Sequence, residues 1–142
     1  MTANFARLVL VIAALAAATG ARAQEVVPVM AAKSAVSSLS QAQLADIFLG
    51  KATRFPDGTI ATPIDQNEDS PARERFYAQF ANKSPAQVKA HWSKIIFTGR
   101  GQPPRQVPSG PEVRRAVTET PGAIGYIDAK LVDSSVRVIS LR

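Results

Sequence analysis

Thr59-Ile60-Ala61-Thr62-Pro63-Ile64, then Asp65-Gln66-Asn67-Glu68-Asp69, then Ser70-Pro71-Ala72-Arg73-Glu74-Arg75-Phe76-Tyr77-Ala78-Gln79-Phe80 is the stretch on which the fold turns. Its first six residues are rich in β-branched side chains and read as a strand, with Pro63 placing that strand at a sheet edge or near its own end. The five polar residues that follow have neither strand nor helix periodicity. Ser70 then offers a hydroxyl at a helix N-cap and Pro71 occupies the first helical position, where a missing N–H costs nothing. Phe76, Tyr77 and Phe80 recur at helical spacing and supply the apolar face of that helix. A strand feeding directly into a helix is the unit of a layered α/β domain.

The flanking sequence repeats the alternation. Upstream, Val26 to Met30 is a short apolar run read as a buried strand, and Ala31 to Ser38 is an Ala/Ser-rich connection. Leu44, Ile47 and Phe48 form one face of a helix over 41–49, with Ser40 as N-cap, Gln43 at the third helical position and Gly50 as its stop. Phe55-Pro56-Asp57-Gly58 has turn chemistry. Downstream, Ser84-Pro85 repeats the helix-opening pair, and the helix should reach about Ile95 while burying Val88, Trp92 and Ile95. Thr98 to Gly110, rich in Gly, Pro and Arg, is expected to be loop. Pro111 to Thr118 is expected to be a helix with Val113 and Val117 inward. Pro121-Gly122 turns the chain into a strand at Ala123 to Ile127, and Val136 to Leu141 alternates like a final strand.

The first 23 residues look like an address and not part of the fold. Arg7 leads an apolar run from Leu8 to Thr19, and Ala21-Arg22-Ala23 is a small-x-small cleavage site. The expectation is a signal peptide over 1–23, cleavage after Ala23, one domain over 24–142 and delivery to the periplasm. No second apolar run follows, so no transmembrane segment is expected after cleavage. Loss of Arg7 and Arg22 lowers the formal net charge of +6 by two, to +4. The remaining positive charge lacks a Lys/Arg block, and with two Tyr and one Trp a nucleic-acid surface is not supported. Absence of cysteine excludes a disulfide framework and a thiol nucleophile.

Taken in order, several motifs carry a resemblance. They are Leu39-Ser40 through Ile47-Phe48-Leu49-Gly50-Lys51, Phe55-Pro56-Asp57-Gly58, Ser70 with Phe76 six residues on, His91-Trp92, Phe97-Thr98-Gly99 with Pro103, and Pro121-Gly122-Ala123-Ile124-Gly125-Tyr126. Together, over about Val26 to Leu141, they resemble the phosphate-type substrate-binding proteins of ABC importers, the type II periplasmic binding proteins. The resemblance implies a three-layer α/β domain equivalent to one lobe of a two-lobed protein. It also implies solute binding, with an inorganic oxyanion such as phosphate as ligand.

In that family a Ser-Gly-Thr opens a helix whose amides hold the oxyanion, with an Arg shortly before it. Ser70 matches the Ser, but Pro71 and Ala72 stand at the Gly and Thr, and the Arg position falls at about Asp65 or Gln66. The candidate ligand residues are therefore Ser70, Arg73, Gln66, Asn67, Thr98 and Ser109. A helix N-terminus attracts anions through its unpaired N–H groups, and Arg73 and Arg75 within its first turns are expected to add positive charge. Asp65, Glu68 and Asp69 oppose this: at an effective dielectric of about 20, one charge contact near 4 Å is worth about 4 kcal/mol.

The same acidic run superficially resembles a calcium loop, but Ser70 stands where Gly is required and Phe76 where a bidentate Glu is required, so no metal is expected. His91 is the only histidine and no nucleophile sits beside a base, so neither a catalytic residue nor a cofactor is expected. The alternative is an interaction module without a ligand, partnering a transporter or a sensor. A homodimer that rebuilds a two-lobed cleft is a further expectation.

Overall fold

The structure is a computed structural model that describes residues 25–142; the leader expected over 1–23 lies outside the described residues. A five-stranded sheet forms the middle layer, built from β1 (Val26–Ala31), β3 (Thr62–Gln66), β4 (Arg105–Val107), β5 (Ala123–Asp128) and β6 (Val136–Val138) in the order β4-β3-β5-β1-β6. β3 runs parallel to both β4 and β5, whereas β1 runs antiparallel to β5 and β6. A second, two-stranded parallel sheet joins β2 (Ser38–Leu39) to β7 (Ser140–Leu141).

Among the described residues, four α-helices cover the two faces. α1 (Gln41–Phe48), α2 (Pro71–Ala81) and α3 (Pro85–Phe97) lie on one side, and α4 (Gly110–Glu119) lies on the other. Strand pleating explains why each face is apolar. Val26, Met30, Ile124 and Tyr126 point toward the first set of helices, while Val29, Ala123 and Ile127 point toward α4. Gly125 lies on that second face because a Cβ there would collide with Val113. The expected three-layer α/β architecture is therefore the observed one.

The first face is stiffened by aromatic packing. Phe76 stacks on Tyr126 with centroids 4.1 Å apart and planes 6° apart, and Phe48 meets both rings edge-on. Leu44, Ile47 and Phe48 bury the α1 face, and Ser40 with Gln43 forms the expected reciprocal capping box. Gly50 follows the helix at φ +73°, the left-handed geometry that a helix stop requires. Ser84 and Gln87 cap α3 in the same way.

Several boundaries differ from the sequence reading. The strand expected over Thr59 to Ile64 is shifted to Thr62–Gln66, because Asp65 and Gln66 find internal partners and continue the ladder. The expected loop from Thr98 to Gly110 contains edge strand β4, whose Arg105 and Gln106 are exposed. The final strand is two strands: Val136–Val138 pairs with β1, and the chain then crosses at Ile139 to pair Ser140–Leu141 with β2. α3 runs two residues past Ile95, which is only half-buried.

Candidate functional site

The parallel strands β3, β4 and β5 end on the same side of the sheet, where α/β sheets commonly hold ligands. Chain direction brings two helix N-termini there, since β3 leads into α2 and β4 leads into α4. Between them lies an open cleft of about 610 Å³. Gln66, Ser70 and Ser109 line it, together with Arg75, Asp128 and Lys130.

The cleft wall is organised around Ser70. Its hydroxyl accepts from the Arg73 N–H at 3.3 Å, capping α2, and donates to Gln66 Oε1 at 2.7 Å. The Gln66 amide in turn donates to the Tyr126 carbonyl at 2.9 Å. Pro71 offers no N–H, so the second helical position, Ala72, carries the outward donor of α2. At the other wall, Ser109 precedes α4 but makes no side-chain cap; its hydroxyl donates to the Glu112 carboxylate. That bond, more than any other influence, holds Glu112 below the usual carboxylate range. Arg75 donates to Asp128 at 2.8 Å, leaving Lys130 as the cation of the cleft that, among the described residues, has no carboxylate at ion-pair distance.

The six residues selected from the sequence are thus divided. Gln66, Ser70 and Ser109 meet at the cleft. Asn67 serves the turn between β3 and α2, its N–H donating to the Val107 carbonyl and its carbonyl accepting from the Ser70 N–H. Thr98 caps the far end of α3, donating to Lys94 and Ile95 carbonyls, and does not line the cleft. Arg73 is turned into the protein, 7% exposed, with Nε 3.4 Å from Asp65 Oδ1 and its guanidinium over the Tyr77 ring. The physical reason is helical spacing: Arg73 lies three and four residues before Phe76 and Tyr77, on the buried stripe.

Asp65, read from sequence as one of three acids crowding the helix terminus, is 1% exposed and belongs to a different centre. Its carboxylate accepts from Tyr77 OH at 2.7 Å, from Tyr126 OH and from the Gln66 N–H at 2.8 Å. Burial, and then the charge of Asp65, push both phenols well above their ordinary range. Glu68 and Asp69 remain exposed, and Asp69 lies at the cleft mouth. His91 packs edge-on against Trp92, with Nε2 2.7 Å from the Leu49 carbonyl. Among the described residues no group of three His, Asp or Glu side chains is arranged to hold a metal, and no helix is long and apolar enough to cross a membrane.

Of the two arginines read as charges at the start of α2, Arg75 reaches the cleft and Arg73 does not. Sequence reasoning missed Asp128 and Lys130, which had no local signal beyond following a strand.

No family model matches the sequence, and no curated protein matches it. Solved structures do resemble the fold. A protein from Clostridium perfringens assigned as a phosphate ABC transporter substrate-binding protein, with bound phosphate, superposes with a TM-score of 0.64 at 20% identity, covering 82% of this chain and 44% of its own. An ABC-type phosphate transport receptor from Vibrio cholerae gives 0.65 at 19% identity over 82% and 45%. PstS from Borrelia burgdorferi gives 0.63 at 15% identity over 82% and 47%. The chain is built like a substrate-binding-protein lobe. It spans less than half the length of each of these neighbours, and their names describe binding and transport proteins.

Proposed function

We propose that this chain is an exported solute-binding lobe whose cleft between the N-termini of α2 and α4 takes a small inorganic oxyanion, phosphate first among them. The observation that carries the reading is the convergence of two helix N-termini at the carboxyl ends of three parallel strands, beside Lys130. Unpaired N–H groups and two macrodipoles favour an anion there. The neighbour from Clostridium perfringens, which holds phosphate, supports the choice of ligand.

Affinity in this reading is weak, because Pro71 removes one donor, Arg73 is neutralised inside, Asp69 lines the cleft, and Glu112 already takes the Ser109 hydroxyl proton. It involves no catalysis. The leader over 1–23 and a periplasmic location belong to the same proposal, as does a second copy or a transporter subunit that closes the open side of the cleft.

One observation favours a second reading. The Ser70 hydroxyl proton is already given to Gln66, so the one hydroxyl matching the family motif has no proton left for a ligand. The lobe would then serve as an interaction module for a transporter or sensor. Isothermal titration of the chain from Gln24 onward with phosphate and sulfate separates the two. Saturable heat, weakened by salt and lost in Lys130→Gln, is expected for an anion binder. A folded sample without heat for either anion rejects anion binding and leaves the interaction module.

A further inference from the structure

Between Arg75 and Glu112 the chain contains Lys83, Lys89, Lys94, Arg100 and Arg105 and no Asp or Glu. α3 lies in the middle of this stretch and is buried on one side alone. Val88 and Trp92 face the core with Ile95 half-buried behind them, whereas Ala86, Ala90, Ser93 and Phe97 are all exposed. At about 100° per residue those four lie on the side opposite the buried stripe, with Lys89 along one flank and Lys94 along the other. The stripe ends in Phe97, 92% exposed, beside Ile96, 55% exposed. Burying neither ring nor alkyl chain in the fold is a cost that a partner surface would remove.

We infer that the outward face of α3 is a docking surface for an anionic lipid membrane, with Phe97 and Ile96 entering the headgroup region and Lys89 and Lys94 contacting acidic headgroups. The pattern suits an interfacial helix: small or apolar side chains along one line, lysines on both flanks whose alkyl stems lie along the apolar layer while their ammonium groups reach the surface. Ala86, Ala90 and Ser93 carry side chains of one or two heavy atoms, a row with little to interlock with a protein side chain. A second copy of this chain is disfavoured, because like faces would oppose lysine to lysine. Each basic group close to an anionic surface strengthens adsorption roughly five-fold. The lysine pair therefore supplies roughly 25-fold, before any contribution from Phe97.

All described elements lie within residues 26–141, so the chain from Gln24 onward keeps every one of them. The test is co-sedimentation of that protein with vesicles of phosphatidylcholine, or of phosphatidylcholine mixed with phosphatidylglycerol. Binding is expected to the anionic vesicles alone and to weaken with salt. Phe97→Ser should reduce it at least tenfold and Lys89→Gln/Lys94→Gln about 25-fold, with unchanged circular dichroism, since all three side chains are exposed. No binding to anionic vesicles, or binding that both variants retain, overturns the inference. So does self-association that Phe97→Ser abolishes, or retention on immobilised polyglutamate with no vesicle binding, which would assign the face to a second copy or to an acidic protein.

Discussion

The joint between β3 and α2 supplies polar side chains to two neighbouring centres that behave oppositely. Asp65 and Arg73 turn inward to Tyr77 and Tyr126, where every oxygen of the carboxylate has donors and water is excluded. Ser70 and Arg75 turn outward to the cleft, with the buried Gln66 side chain bonded behind Ser70, so that side chains there satisfy one another. Along β3 the alternation of side chains separates Asp65 from Gln66, and along α2 the helical turn separates Arg73 from Arg75. The Arg73 charge is committed to the interior, and the anion proposed for the cleft would meet only backbone dipoles and Lys130.

Breaking the inner centre should have the largest effect. Asp65→Ala leaves the Arg73 guanidinium buried without its counter-charge and is expected to cost about 3–5 kcal/mol in urea unfolding. Replacing both residues by leucine should restore most of that loss, since an apolar pair needs no compensating charge. A double variant as unstable as Asp65→Ala would show that the tyrosines, more than the ion pair, depend on the carboxylate.

Next comes the response to alkali. Tyr77 and Tyr126 are the two tyrosines of the chain, and the fold holds both phenolic protons more tightly than the unfolded chain, whose phenols ionise near pH 10. Their stabilising contribution is therefore full below about pH 10 and is lost as the pH rises above it. Tyrosinate absorbance should appear together with loss of circular dichroism, in one transition. Ionisation of either phenol in a still-folded protein would mean that the network is open to water.

Effects at the cleft should be smaller. Ser70→Ala removes the α2 cap and is expected to cost about 1 kcal/mol, read by the shift of the urea midpoint. Lys130→Gln should change stability by no more than about 0.5 kcal/mol. If Lys130→Gln were as damaging as Asp65→Ala, the contrast between a structural interior and a permissive cleft would fail.

Much of the layering was legible because its signals are local. The Ser70-Pro71 and Ser84-Pro85 pairs marked helix starts, Gly50 marked a stop, and the apolar runs at Val26 and Ala123 became the antiparallel pair at the sheet centre. What escaped was non-local. β4 is polar and sits between prolines, so nothing in Arg105-Gln106-Val107 announces that β3 will pair with it. Asp65 looked like loop because its burial depends on two hydroxyls, one of them 61 residues away in sequence. For the site, Ser70 and Ser109 were readable as helix openings, and their meeting follows from strand order alone. Arg73 was misplaced although its spacing to Phe76, Tyr77 and Phe80 already set it on the buried stripe.

The antiparallel register of β1 with β5 pairs Val26 with Asp128, and the Ala129 N–H donates to the Glu25 carbonyl at 2.8 Å. Glu25 thus lies beside Asp128, which lines the cleft with Lys130. A histidine tag or fluorescent fusion attached directly ahead of Glu25 would bring its own charges and bulk close to that cleft, so labelling for the anion titration belongs at the carboxyl end.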